Sequence, residues 1–443
     1  MGTDALVAEA LAALAEEDAG MAAEAEAALA GLLAGQELAA LTQARVQAFC
    51  WQELPATGSG PGHDPRIVLD ALARVLVLLG LERYAGLCTS PTTVSVLAAH
   101  DEGWDEGRRA ADAAAAASGI VPVDLEELAW GPVRGPVEVA AHDEASELLE
   151  LAVAVGELRP GSPGWRQAQR ALLRRHLGGS EPGAPAPRID GIRSERLEAW
   201  LEGSRSHSRR HLLDPVATDL ASPTSWPGAG TEVLEPLRWL LGELVEGQPL
   251  TQAGNLSRGF VQRAAIRFGW EATDPGLLPR SEPELRDLHL VRRLAERLAL
   301  ARRSRRGLHL TVRGRRLLAG DPEGFWRLVA AGLLPADEYA GSVGEIVLAM
   351  LLAGPTPARA MATAAREVVD EQGWRATGTG ERPDDRAIAW GVRATLELLR
   401  ALALVEPNPD EGAAQVLTAG GRVTAREALH RRATAPRTRP CEP

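Results

Sequence analysis

The chain has 443 residues, 45% of them hydrophobic and 24% charged, which is room for two to four soluble domains with real cores. All 48 basic residues are arginine. That is the mark of a GC-rich codon supply, so an Arg-rich surface alone is weak evidence for nucleic-acid binding. The formal charge of −12 is uneven: residues 1–150 hold about 25 acids against 7 Arg, and the remainder is slightly positive.

Cys50, Cys88 and Cys441 are widely spaced, which fits a reducing cytoplasm and argues against a disulfide framework or a Cys-based zinc site. Met1–Glu16 carries Asp4 and Glu9 without a basic start, so it does not read as a signal peptide. No uncharged apolar run reaches the roughly 18 residues a membrane span needs. A cytoplasmic protein with no membrane partner is expected.

In chain order, residues 4–34 read as one Ala-rich amphipathic helix, and 38–53 as a second. Asp64-Pro65 is an N-cap with Pro at the first helical position, opening an apolar helix to Leu79 that Gly80 ends. Ser90-Pro91 repeats the device before a helix to His100. Further helices are expected near 102–118, 142–156 and 165–177. Residues 1–178 are thus an acidic all-helical domain, and 179–231 a linker with an Arg-rich helical bridge.

The C-terminal half says the same thing twice. With Trp270 aligned to Trp374, Gly269 matches Gly373, Leu294 matches Leu398, and Leu298-Ala299-Leu300 matches Leu402-Ala403-Leu404 without a gap. Each copy then has a polar tip and closes on one signature: Leu310, Thr311, Gly314, Arg315 and Leu417, Thr418, Gly421, Arg422. Helices at 232–246, 257–268 and 284–298, a hairpin around Gly307 and a Thr311-capped helix make up the first copy. The second has helices at 343–352, 357–371 and 384–401, a hairpin at 403–417 and a last helix to about 432. Helices followed by a hairpin and a Thr-opened helix is the pattern of a winged helix-turn-helix. The expected fold is mainly α, with two tandem winged-helix-like modules at 232–338 and 339–432 and a disordered tail at 433–443.

Several runs carry a resemblance: Phe49-Cys50-Trp51 with Glu53-Leu54-Pro55; Leu78–Tyr84 with Cys88, Ser90 and Pro91; Pro236, Leu237, Trp239, Leu240 and Leu241; Leu250-Thr251-Gln252-Ala253-Gly254; Gly269-Trp270. Through these the chain resembles a family of uncharacterised actinobacterial proteins over most of its length. Asn255 stands where that family usually has an aromatic, and Ser257-Arg258 where it commonly has Pro-Pro. The resemblance implies a coherent family and no particular activity.

From Arg286 to Arg316 the chain has 11 Arg against Asp287 and Glu296. In a winged helix the third helix enters the major groove and the wing lies on the backbone. Arg286, His289, Arg292 and Arg293 on the third helix, with Arg302, Arg303, Arg305 and Arg306 on the hairpin, are therefore the candidate DNA contacts. The alternatives are an acidic protein partner, this chain's own front half included, or a solvated face. The second tip, Glu406-Pro407-Asn408-Pro409-Asp410-Glu411, would repel phosphate. The second module is expected to pack, to dimerise or to meet a protein. Because one genome built both tips, their difference also argues against codon bias alone.

The remaining features read as structure. Trp270 and Trp374 are core anchors, and Thr311 and Thr418 helix caps. His207 and His211 have zinc-compatible spacing but lack the adjacent Glu of a metalloprotease and sit among Arg, so no metal is expected. The glycine runs at 58–62 and 378–380 lack a phosphate loop's Gly-Lys-Ser/Thr ending. No nucleophile elbow appears. Acidic pairs such as Glu16-Glu17 and Glu126-Glu127 are solvated faces. No catalytic constellation and no cofactor is expected. DNA binding leads, regulation being one use of it, with a protein-interaction scaffold as the alternative.

Overall fold

The computed structural model describes residues 3–57, 64–180, 186–203, 206–226, 228, 234–272, 276–305, 307–335, 338–375, 380–406 and 413–438. It is mainly helical, with two small antiparallel strand pairs. Among the described residues no helix is long and apolar enough to cross a membrane. The chain divides into two compact units, Met1–Ile192 and Arg193–Pro443.

The first unit opens with α1 (Thr3–Glu17) and α2 (Ala19–Leu33) rather than one continuous helix. Asp18 breaks the run because its extended backbone lets its carboxylate accept from the Gly20 and Met21 amides at 2.9 and 3.0 Å. Capping a new helix competes successfully with continuing the old one. The expected helix at 38–53 is also divided, into a short 3-10 turn at Leu38–Ala40, α3 (Gln43–Ala48), a wider π turn at Phe49–Glu53 and α4 (Leu54–Thr57). The π turn lets three successive side chains, Phe49, Cys50 and Trp51, be buried together, which the even pitch of an α-helix opposes.

Next come α5 (Pro65–Leu78), α6 (Glu82–Cys88), α7 (Pro91–Glu102) and α8 (Trp104–Ser118). Asp64 and Ser90 cap α5 and α7 as their sequences predict. Together α1–α8 enclose one core, and α9 (Pro136–Ala154) and α10 (Trp165–Leu177) form a second with Leu125 and Leu128. Buried Glu150 of α9 accepts from the Gln43 amide at 2.6 Å and the Tyr84 hydroxyl at 2.7 Å. Burial and that carboxylate push the Tyr84 phenol up to about 12.

The second unit takes in most of α11 (Arg188–Glu202), then α12 (His207–Leu220) and α13 (Glu235–Glu243). Ser257 caps α14 (Arg258–Phe268), which Gly269 ends in the left-handed conformation. α15 (Arg286–Arg297) leads into the antiparallel pair β1 (Ala301–Ser304) and β2 (Gly307–Leu310), then α16 (Val312–Gly320) and α17 (Pro322–Leu333). There follow α18 (Glu338–Ala353), β3 (Thr356–Pro357), α19 (Ala358–Gln372), α20 (Asp385–Ala401), β4 (Ala414–Gln415) and α21 (Ala419–Ala433). β3 pairs with β4, and Val405 bridges Leu417. Likewise Gln248, between α13 and α14, bridges Leu308 of β2.

Both places share one backbone device. Ala299 and Ala403 adopt left-handed φ of 53° and 57°. The chain then turns so that Thr311 and Thr418 donate their amides to Leu300 O and Leu404 O at 2.9 and 3.0 Å. Their hydroxyls cap α16 and α21 by accepting from the Gly314 and Gly421 amides, each at 2.9 Å. Gly314 and Gly421 are required by close approach: a Cβ would stand 2.3 Å from Leu300 O or 1.8 Å from Leu404 O.

Residues 434–438 depart from the expected disordered tail. Arg196, buried on α11, donates to Thr434 O at 2.9 Å, and Arg437 pairs with Glu195 at 3.4 Å. Cys441, the run at 58–62, residues 378–379, Arg306 and 407–411 of the second tip lie outside the described residues.

Candidate nucleic-acid interface

α15 is amphipathic, burying Leu288, Val291, Leu294 and Ala295. Its polar side chains divide into two groups. Arg292 is not on an outward face, which corrects the expectation that it is a DNA contact. It is 6% exposed, and its Nη1 lies 2.7 Å from Glu282 Oε2 and 3.2 Å from Gly254 O, with Nε 3.1 Å from Glu296. Glu282, itself 1% exposed, also accepts from the Leu256 amide at 2.7 Å. Two buried charges of opposite sign must stay together, because either alone would face an uncompensated desolvation cost. His289 borders this pair, 3.7 Å from Glu282.

The outward group is also partly engaged. Arg286, at the start of α15, pairs with Glu397 near the end of α20 at 3.2 Å. Burial pushes the adjacent Asp287 carboxyl up, and Arg400 opposes the shift. The start of α15 thus lies against the end of α20. Arg297 donates to Gly332 O, and burial lowers its guanidinium. Arg293 is exposed and forms no ion pair among the described residues.

The β1–β2 hairpin sits differently. Its register pairs Ala301 with Leu310, Arg302 with His309, Arg303 with Leu308 and Ser304 with Gly307. Ala301, Leu308 and Leu310 are buried, while Arg302, Arg303, Ser304 and Arg305 are exposed. Two hydrogen bonds of 2.9 Å between Gln248 and Leu308 anchor it to the α13–α14 connection. α16 begins where β2 ends and exposes Arg313, Arg315 and Arg316. At about 3.3 Å per residue, four-residue strands keep the tip within roughly 10–13 Å of α16. From Ala299 through Gly320 the sequence contains no acid.

One neighbour of this face was not singled out as a contact. The Leu250–Gly254 turn is closed by Thr251 and Asn255, with bonds of 2.8 Å from the Thr251 amide to Asn255 O and from the Gly254 amide to Thr251 O. Gly254 has φ of 79°, and the Arg303 guanidinium lies over it so closely that a Cβ would overlap. Its carbonyl receives Arg292. The Leu-Thr-Gln-Ala-Gly run therefore carries both arginines, and Thr251, Gln252 and Ala253 are exposed beside the hairpin.

Trp270 behaves as an anchor, its ring 4.8 Å from Phe268 in a cluster with Trp239 and Phe260. Trp374 packs edge-on to Tyr339 at 6.0 Å.

Residues 231–323 match the Y4jL N-terminal domain family, a stretch containing α13–α16 and the hairpin. No curated protein and no solved structure matches the chain.

Proposed function

We propose that residues 235–320 and 338–433 are two winged-helix modules, and that the first binds duplex DNA through its hairpin and the start of α16. The observation that carries this reading is the exposed, acid-free set Arg302, Arg303, Arg305, Arg313, Arg315 and Arg316 on a hairpin anchored by main-chain bonds. Guanidinium groups on a rigid support are suited to phosphate oxygens. The third helix contributes less, because Arg292 is internal and Arg286 is paired. Binding is accordingly driven by backbone phosphates, with weak sequence preference. Fluorescence anisotropy with labelled duplexes of several sequences, from 50 to 300 mM salt, tests it. Similar affinities across sequences and a steep fall with salt are expected. Salt-independent binding, or none at low salt, would refute it.

A second reading, protein binding by the second module, is favoured by Trp390, which stands 65% exposed on α20. Exposed tryptophans are enriched among residues that dominate protein interfaces.

A further inference from the structure

Helix α5 carries apolar side chains on its exposed side, beside Arg66, Asp70 and Arg74, as well as on its buried one. Its buried face includes Val68, Leu69, Leu72, Val75 and Leu76, yet Ile67, Val77 and Leu78 stand 59%, 51% and 49% exposed. Apolar side chains grouped on an exposed, polar-rimmed helix face mark a surface that a partner can cover. Here a second stripe, Asp70, Ala73, Arg74, Val77 and Leu78 at helical spacing, borders an open groove of about 710 Å³. Leu14 of α1, Met21 of α2 and Ala85 of α6 extend its apolar lining, and Gly86 leaves the α6 wall low.

The rim is acidic. Glu17, Asp70 and Glu82 line it, all three are exposed, and none forms an ion pair among the described residues. Arg74 is the one cation of the lining. Residues 3–102 hold fourteen acids against four arginines. The other three arginines are already paired, Arg45 with Glu53, Arg66 with Asp101 and Arg83 with Glu150.

We propose that this groove is the docking site for a basic amphipathic helix of a partner protein. Apolar side chains at i, i+3 or i+4 and i+7 would enter between α5, α6 and the α1–α2 corner, and flanking Lys or Arg would meet Glu17, Asp70 and Glu82. Charge complementarity selects this occupant. A second copy presenting the same face would bring acid against acid. An acidic or neutral helix would leave the three carboxylates without partners.

The test uses the full chain and a fluorescein-labelled helical peptide with Leu at i, i+3, i+4 and i+7 and Lys on the flanks. A control peptide has every Lys replaced by Gln. The Lys peptide should bind at least tenfold more tightly than the control. The triple variant E17Q/D70N/E82Q should lose that difference, and V77S/L78S should weaken both peptides. Circular dichroism establishes that the variants fold, and the peptide comparison on the unmodified chain stands independently of them. Equal binding of the two peptides would overturn the proposal. So would full Lys-peptide binding by the folded triple variant. Binding of a short-chain alkylammonium but of neither peptide would reassign the groove to a small cation. Concentration-dependent self-association lost in V77S/L78S would reassign it to a second copy.

Discussion

The segments 235–320 and 338–433 keep the same backbone device and differ in almost everything exposed around it. Left-handed Ala299 and Ala403, capping Thr311 and Thr418, and close-packed Gly314 and Gly421 match in geometry. At the offset that aligns Trp270 with Trp374, buried Arg292 corresponds to buried Leu396, exposed Arg293 to Glu397, and Arg286 to Trp390. Residues that close the backbone are held in common. Residues that set the surface are free to diverge, and an internal position solved once by an ion pair is solved once by a hydrocarbon.

The largest expected effect comes from that internal position. Arg292→Ala strands Glu282 and should lower stability by about 3–5 kcal/mol, whereas Arg293→Ala, one residue on, should stay within about 0.5 kcal/mol. Urea denaturation of both variants separates them; equal losses would mean the buried pair is not what distinguishes the first segment.

Shared close packing should show as equal sensitivity. Gly314→Ala and Gly421→Ala each press a Cβ on a carbonyl and should cost about 1–3 kcal/mol or more. Gly259→Ala, which meets open space on α14, should not destabilise. A loss at only one of the two close-packed glycines would break the correspondence. Thr311→Ala and Thr418→Ala should each cost about 1 kcal/mol through the lost cap, read as matched shifts in Tm.

The smallest effect involves Glu371 of the second segment and appears only in acid. Glu371, on α19, accepts from the Ser206 and Ser208 hydroxyls, each at 2.6 Å, and from the Ser208 amide at 3.0 Å. These bonds hold its carboxyl down at about 2, against an ordinary 4.5. The folded form prefers the charged carboxylate, so its contribution is full above the ordinary value and fades as pH falls from there toward 2. Arg267 occupies the aligned place in the first segment. Glu371→Gln should flatten the Tm profile over that range; an unchanged profile would assign the acid sensitivity elsewhere.

Helices with strong punctuation were legible in the sequence. Asp64-Pro65, Ser90-Pro91, Ser257 with Gly269, and Thr311 each encode an end in one or two residues, and α5, α7, α14 and α16 begin where those residues stand. The hairpin around Gly307 was legible for the same reason. α6 and α17 were not foreseen: α6 is only seven residues, and α17 follows α16 after Asp321 alone, which caps it without a longer break. The exposure of Arg302, Arg303 and Arg305 was legible at the hairpin, where it follows from composition and a short turn. Arg292 was not, because periodicity counts an arginine as outward and cannot see Glu282 waiting across the helix. The contact between α15 and α20 was equally hidden, since residues about a hundred positions apart signal it only through opposite charges at Arg286 and Glu397.

Under the proposed function, the hairpin face and not α15 makes the DNA contact. The most direct test is the slope of log affinity against log salt for duplex DNA, measured on wild type, R302A/R303A/R305A and R286A/R293A. Each lost phosphate contact lowers the slope by roughly 0.9, so the hairpin variant should lose about 2.7 and the helix variant at most about 0.9. A helix variant that loses the larger share, with the hairpin variant close to wild type, would move the contact to α15.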